Sequence, residues 1–126
     1  VPAPALLLVA HGSTNPQWRE PLERVRDRAR AQAPTRRVEL CFLERCAPDV
    51  GEAIGSLHRD GVERVEVVAL LLSGGGRHMT EDLPEALRSA GARCPGLAIE
   101  LRPEPLGADP RVIEALASVA LDADAS

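Results

Sequence analysis

The segment Ala5-Leu-Leu-Leu-Val-Ala10 is apolar without interruption and is closed at once by His11-Gly12-Ser13. A strand with one wet face alternates apolar and polar residues, whereas a strand covered on both faces reads as a continuous apolar run. This segment therefore predicts a buried strand of a parallel sheet. Parallel neighbours need long crossovers between them, normally helices, so the remainder of the chain has to alternate strand and helix.

It does. After a loop at Ser13 to Gln17, residues Trp18, Leu22, Val25 and Ala29 recur at spacings of three and four and mark one helix face, ending before Pro34; Pro21 leaves the start open. Arg37 to Leu43 predicts a second strand. Pro48 then opens a helix carrying Val50, Ile54 and Leu57 as far as Gly61. Val62 to Leu72 reads as a third, very apolar strand, followed by a helix capped by Thr80 or Asp82, bearing Leu83, Leu87 and Ala90, and stopping at Gly91. Leu97 to Leu101 fits a fourth strand. Asp109-Pro110 is a helix start, with Val112, Ile113, Leu116, Ala120 and Leu121 behind it and a fraying tail from Asp122 to Ser126. The expectation is one α/β domain over residues 1–126, with its core at about 5–121. Its four-stranded parallel sheet has the order 2-1-3-4, with right-handed crossovers and helices on both faces.

Composition excludes several function classes. A net charge of −4, from 15 Lys+Arg against 19 Asp+Glu, offers no basic block to neutralise phosphates, so no nucleic-acid partner is expected. No run approaches the about 18 apolar residues of a membrane span, and the Val1-Pro-Ala-Pro-Ala start lacks the features of a secretory signal; no membrane partner is expected. Cys41, Cys46 and Cys94 make neither an even set nor a zinc pattern, which suits reduced thiols in the cytoplasm. With one Trp, one Phe and no Tyr, a flat ligand would rest on aliphatic surface, backbone and Arg.

Ligands of open parallel sheets bind past the strand carboxyl ends, where the strand order reverses. His11 directly follows the first strand, Glu44 closes the second in Cys41-Phe-Leu-Glu44, and His78 follows the third through Ser73-Gly-Gly-Gly-Arg-His78. The order 2-1-3-4 brings these three side chains to one crevice. Two imidazoles and a carboxylate suit a borderline divalent ion such as cobalt(II), iron(II), nickel(II) or zinc, with coordination positions left for a substrate. Neutral imidazole also accepts protons near pH 7, so one residue could serve as ligand and as base. Gly74, Gly75 and Gly76 let backbone approach a large ligand or form a mobile turn. Each piece has a plainer reading. A His after a strand is commonly a loop or capping residue; Glu44 suits a solvated strand end or a partner for Arg45 or Arg77. Arg19, Arg45 and Arg77 suit substrate carboxylates or plain solvation, and His58 suits a helix surface.

The ordered set Leu6-Leu-Leu-Val-Ala-His-Gly-Ser13, Phe42-Leu-Glu44, Gly75-Gly-Arg-His78 and Glu81-Asp-Leu-Pro84 resembles the small class II chelatases. These are the sirohydrochlorin cobaltochelatases and their ferrochelatase relatives. The resemblance runs from about Ala5 to Leu121. It implies a chelatase-like α/β fold and insertion of cobalt(II) into sirohydrochlorin for cobalamin, or of iron(II) for siroheme. It matches the two family histidines to His11 and His78, as catalytic residues and metal holders, and the acidic position of the ferrochelatase relatives to Glu44. Ser13, Gly74, Gly75, Gly76 and Arg77 are the candidates for contact with the tetrapyrrole. The metal, whether cobalt, iron or nickel, is a substrate, and no permanently bound cofactor is expected. Larger relatives carry two such domains facing each other across a cleft, so a single domain implies a homodimer. Departures are Ala69 where Pro is frequent, Ser73 and three glycines in place of a bulkier stretch, and no His-rich segment.

A phosphoryl-transfer enzyme with a histidine nucleophile calls for a basic residue before the His, and Ala10 stands there. A serine hydrolase calls for Gly-x-Ser-x-Gly, which neither His11-Gly-Ser-Thr-Asn15 nor Leu72-Ser-Gly-Gly-Gly76 supplies. The remaining alternative is a non-catalytic metal- or tetrapyrrole-binding protein of the same fold.

Overall fold

The computed structural model describes residues 3–73 and 76–122, without the side chains of residues 78 and 79. Four parallel strands, β1 (Ala5–Ala10), β2 (Val38–Phe42), β3 (Arg64–Ala69) and β4 (Ala98–Leu101), form one sheet in the order β2-β1-β3-β4. Helices α1 (Pro16–Gln32), α2 (Val50–Arg59), α3 (Leu83–Ala92) and α4 (Pro110–Asp122) follow the strands in turn. β1 pairs with β2 on one side, Leu8 opposite Leu40, and with β3 on the other, Leu7 opposite Val67.

The two-residue period of a strand sorts the run Ala5–Ala10 onto both faces. Ala5, Leu7 and Val9 join Cys41, Val65, Val67 and Ala69 under the buried sides of α2 (Val50, Ala53, Ile54, Leu57) and α3 (Leu83, Leu87, Ala90). Leu8 and Ala10 join Val38, Leu40, Phe42 and Val68 on the α1 side. Each fully buried Leu, Ile or Val contributes about 2 kcal/mol of burial, so β1, flanked on both edges and buried at five of its six residues, is firmly anchored.

Several elements differ from the sequence expectation in physically informative ways. β3 is shorter than 62–72: past Ala69 the Leu70 N–H still donates to the Val9 carbonyl, but the Leu71 carbonyl turns away to accept from Gly107 N–H at 2.9 Å. α1 begins at Pro16, inside the expected loop, because Asn15 caps it by accepting from Gln17 N–H at 2.9 Å. Its sheet-facing residues are Arg19, Leu22, Glu23, Arg26 and Ala29, while Trp18 (36%) and Val25 (41%) are exposed. Arginines hold this rotation: Arg30 donates to the Val38 carbonyl at 2.8 Å, and the Arg19 guanidinium lies over Phe42. Pro48 precedes α2 rather than opening it. Asp49 is the cap, in a reciprocal pair with Glu52 (2.7 and 3.0 Å). Neither Thr80 nor Asp82 caps α3 through its side chain. A π-helical turn, His78–Asp82, leads into it, and α3 runs past Gly91, where the lack of a side chain lets it approach Ile99.

The α1 side of β3 and β4 is polar. Glu66 accepts from Arg36 at 3.0 Å and from Arg102 at 3.0 and 3.3 Å. Partial burial pushes this carboxyl up, but the hydrogen bonds and charges of the two guanidiniums outweigh it and hold Glu66 below the ordinary carboxylate range. A depressed native value contributes stability above the unfolded carboxylate value of about 4.3, which is lost as pH falls through the lower native value. Glu66→Gln should therefore lower the urea midpoint at pH 7, and the gap from the parent protein should narrow as pH drops below about 4.3.

Candidate functional site

The carboxyl ends of β1 and β2 stay zipped beyond the strands themselves. Leu43 N–H donates to the Ala10 carbonyl at 2.9 Å and Glu44 N–H to the His11 carbonyl at 3.1 Å. His11 and Glu44 thereby become neighbours in register, and their side chains meet: His11 Nε2 lies 3.1 Å from Glu44 Oε1. At 39% and 45% exposure both remain open to a ligand, and an ion pair this wet adds only about 0–1 kcal/mol to stability. Arg45, in the left-handed region at φ 72°, brings its Nε to 3.9 Å from the same Glu44 oxygen.

Gly12 makes this approach possible. Its φ is +115°, and a Cβ there would sit 1.7 Å from the Glu44 carbonyl oxygen, far inside any tolerable contact. The Ser13 hydroxyl accepts from Asn15 N–H at 3.1 Å and so shapes the turn into α1. One turn on, Arg19 lies 5.0 Å over the Phe42 ring, with its Nε buried and without a hydrogen-bond partner, while Trp18 sits tilted against Phe42 at 6.1 Å between centroids. Sequence reasoning gave Gly12 no role of its own and did not foresee the Trp18–Phe42–Arg19 stack; one Trp and one Phe on different elements leave no spacing signal.

The third strand's contribution is partly described. Gly74, Gly75 and the side chain of His78 lie outside the described residues; the His78 backbone opens the π-helical turn. The Gly76 carbonyl accepts from both the N–H (3.2 Å) and the hydroxyl (3.1 Å) of Thr80. Arg77 is 82% exposed and donates to Glu81 at 3.0 Å rather than to Glu44. His58, at the far end of α2, meets the Pro95 carbonyl at 3.2 Å, as a surface residue would. Among the described residues no group of three His, Cys, Asp or Glu stands ready to hold a metal. The pair His11 and Glu44 is what the described side chains provide.

The loop after β3 is braced by the 3-10 turn Leu106–Ala108. A Cβ on Gly107 would fall 2.1 Å from the Leu72 carbonyl oxygen and 2.3 Å from its Cα. Gly107→Ala should displace this loop, which leads to His78, at a cost of about 2 kcal/mol. The thermal midpoint should fall together with activity, while Gly61→Ala, where a Cβ meets nothing, should show backbone strain but spare the site.

Residues 5–123 match the CbiX family. The chain belongs to that family. A sirohydrochlorin cobaltochelatase of Sulfolobus acidocaldarius is 31% identical over 88% of this chain and 85% of its own length. A sirohydrochlorin ferrochelatase of Priestia megaterium is 29% identical over 89% of this chain but only 41% of its own. For a sirohydrochlorin cobaltochelatase of Methanopyrus kandleri the values are 34%, 66% and 57%; the chain thus spans about half the length of these last two relatives. Among solved structures, the sirohydrochlorin chelatase SirB of Bacillus subtilis in complex with cobalt superposes with a TM-score of 0.83 at 27% identity, covering 94% of this chain and 50% of that one. A CbiX protein of Marinobacter aquaeolei gives 0.80 at 27%, covering 96% and 94%. The α/β sheet order expected from sequence is the one observed.

Proposed function

We propose that this chain is a chelatase that inserts a divalent metal, cobalt(II) or iron(II), with nickel(II) as a further candidate, into sirohydrochlorin. The observation that carries the reading is the His11 Nε2–Glu44 Oε1 approach of 3.1 Å at the carboxyl edge of the sheet, in a chain of the CbiX family. A nitrogen and an oxygen donor at that spacing suit a borderline divalent ion without filling its coordination sphere. His78, on the loop from the next strand, is the third donor in this reading, with Ser13, Gly74, Gly75, Gly76 and Arg77 as the tetrapyrrole's contacts.

Metallation exchanges two pyrrole N–H protons for one dication. The imidazole and carboxylate accept those protons one at a time and pass them to water, which returns the protein unchanged. Donors roughly 40% exposed suit this work, because a macrocycle must reach them and a metal must leave them. The same reading takes residues 5–121 as one chelatase-like unit acting in the cytoplasm as a homodimer. No helix among the described residues is long and apolar enough to cross a membrane.

The test mixes purified protein with sirohydrochlorin and each metal ion in turn and follows the absorbance of the macrocycle. Acceleration over the protein-free rate is expected with at least one metal. Binding of metal and tetrapyrrole without acceleration would leave a carrier or sensor of the same fold in place of the enzyme.

A further inference from the structure

Arg24, Arg30, Arg36 and Arg102 each reach a carboxylate at 3.0 Å. Arg19 does not. The Glu23 carboxylate, one helical turn on, stays 3.9 Å from its terminal nitrogen, beyond hydrogen-bond reach. The Nε of Arg19 is buried, and among the described residues it is the one buried side-chain nitrogen or oxygen without a hydrogen-bond partner. A donor stripped of water and left unpaired costs stability, so its retention calls for a reason. Phe42 holds the group in place: the guanidinium lies 5.0 Å over that ring, and Trp18 leans on the same ring. Stacking fixes the plane of a guanidinium without using any of its N–H groups. With Nε buried and the side chain 32% open, a ligand meets Arg19 at its terminal nitrogens.

We propose that Arg19 is the anchor for a carboxylate on the rim of the tetrapyrrole, an assignment that rests on the chelatase reading above and adds a specificity-determining contact to it. The position fits. Phe42 stands at the carboxyl end of β2, two residues before Glu44, and two residues of extended chain span about 7 Å. Sirohydrochlorin carries its carboxylates on arms around the ring, so a cation set to one side of His11 and Glu44 takes an arm while the ring nitrogens face the pair. The same edge bears the negative charges of Glu44 and, on α1, of Glu20 and Glu23, which disfavour an acidic guest unless a fixed cation answers them. The other arginines of this edge are less well placed to do so. Arg77 is bonded to Glu81 at 3.0 Å, and Arg45 is 63% exposed with its Nε 3.9 Å from Glu44. Already flat against Phe42, the Arg19 guanidinium gives up little freedom on meeting a carboxylate.

The test measures binding of metal-free sirohydrochlorin to the full chain, beside its methyl ester, which keeps the ring and removes the charges. Arg19→Met preserves the stem that covers Phe42 and deletes the guanidinium; it should raise the dissociation constant for the acid about 10–100-fold. Arg19→Lys restores the charge without the planar fork and should recover part of that loss. For the ester, parent and variants should agree within about twofold. A purely structural role would weaken acid and ester alike, and that result, or an Arg19→Met protein that binds the acid as tightly as the parent, overturns the anchor. Should Arg19→Met not fold, the same comparison of acid and ester with Arg19→Lys decides. In turnover KM should rise with kcat nearly unchanged. Because binding is read without metal, the two readings part. A protein that holds the acid through Arg19 and inserts no metal keeps the anchor and sinks the chelatase; Arg19→Met inserting metal with the parent's KM does the reverse. A parent protein that binds neither acid nor ester sinks the anchor together with the tetrapyrrole.

Discussion

His11→Ala is expected to lower the rate of metal insertion into sirohydrochlorin by about 10²–10⁴-fold, the usual worth of a positioned acid–base group. The substitution removes a nitrogen donor and a proton acceptor together. The half-exposed pair with Glu44 that it deletes is worth only about 0–1 kcal/mol to stability. That split between a large kinetic and a small thermodynamic effect is the signature sought, measured as initial insertion rate beside a urea midpoint. Glu44→Gln keeps the shape and removes the charge, so it should fall between the parent protein and His11→Ala. A His11→Ala protein within twofold of the parent rate would remove His11 from the chemistry.

Gly12→Ala should have the opposite profile. The new Cβ would require the Glu44 carbonyl, 1.7 Å away, to retreat by more than an ångström, and φ +115° is strained for any residue with a side chain. Two strand ends would have to part just where His11 and Glu44 are held in register. A loss of about 3–5 kcal/mol is expected, at the diagnostic end for a single substitution. Soluble yield and denaturation midpoint should both fall, and whatever folds should bind metal poorly. An unchanged midpoint would mean that the backbone approach of Glu44 to Gly12 is absent in solution.

Why one glycine matters this much was not legible in His11-Gly-Ser13. The close approach arises from the pairing of residues 10–11 with 43–44, a tertiary event. The strand Ala5–Ala10 could be read to the residue, because burial on both faces writes an unbroken apolar run, and Asp109-Pro110 marked the start of α4 because capping is local. What an apolar stripe faces is another matter. Leu22 and Ala29 did meet the sheet, but Val25 did not, since arginine stems at positions 19, 26 and 30 set the rotation of α1. Val112, Ile113 and Leu116 marked a face on α4 as clearly as Val50, Ile54 and Leu57 did on α2, yet Ile113 (53%) and Leu116 (49%) stay exposed where the α2 set is buried. At the site, three strand ends could be brought to one edge from sequence, and His11 with Glu44 meet there. Arg77 pairs instead with Glu81, four residues further along the chain.

Trp18 gives the protein a reporter of its own. It is the single indole in a chain without tyrosine, it is 36% exposed, and it leans on Phe42, two residues before Glu44. Its ultraviolet emission therefore comes from one place, at the edge where a coloured macrocycle would settle, close enough for such a guest to drain the excited state. Occupancy of that edge can be titrated by the dimming of one fluorophore, without labels and before any metal is added.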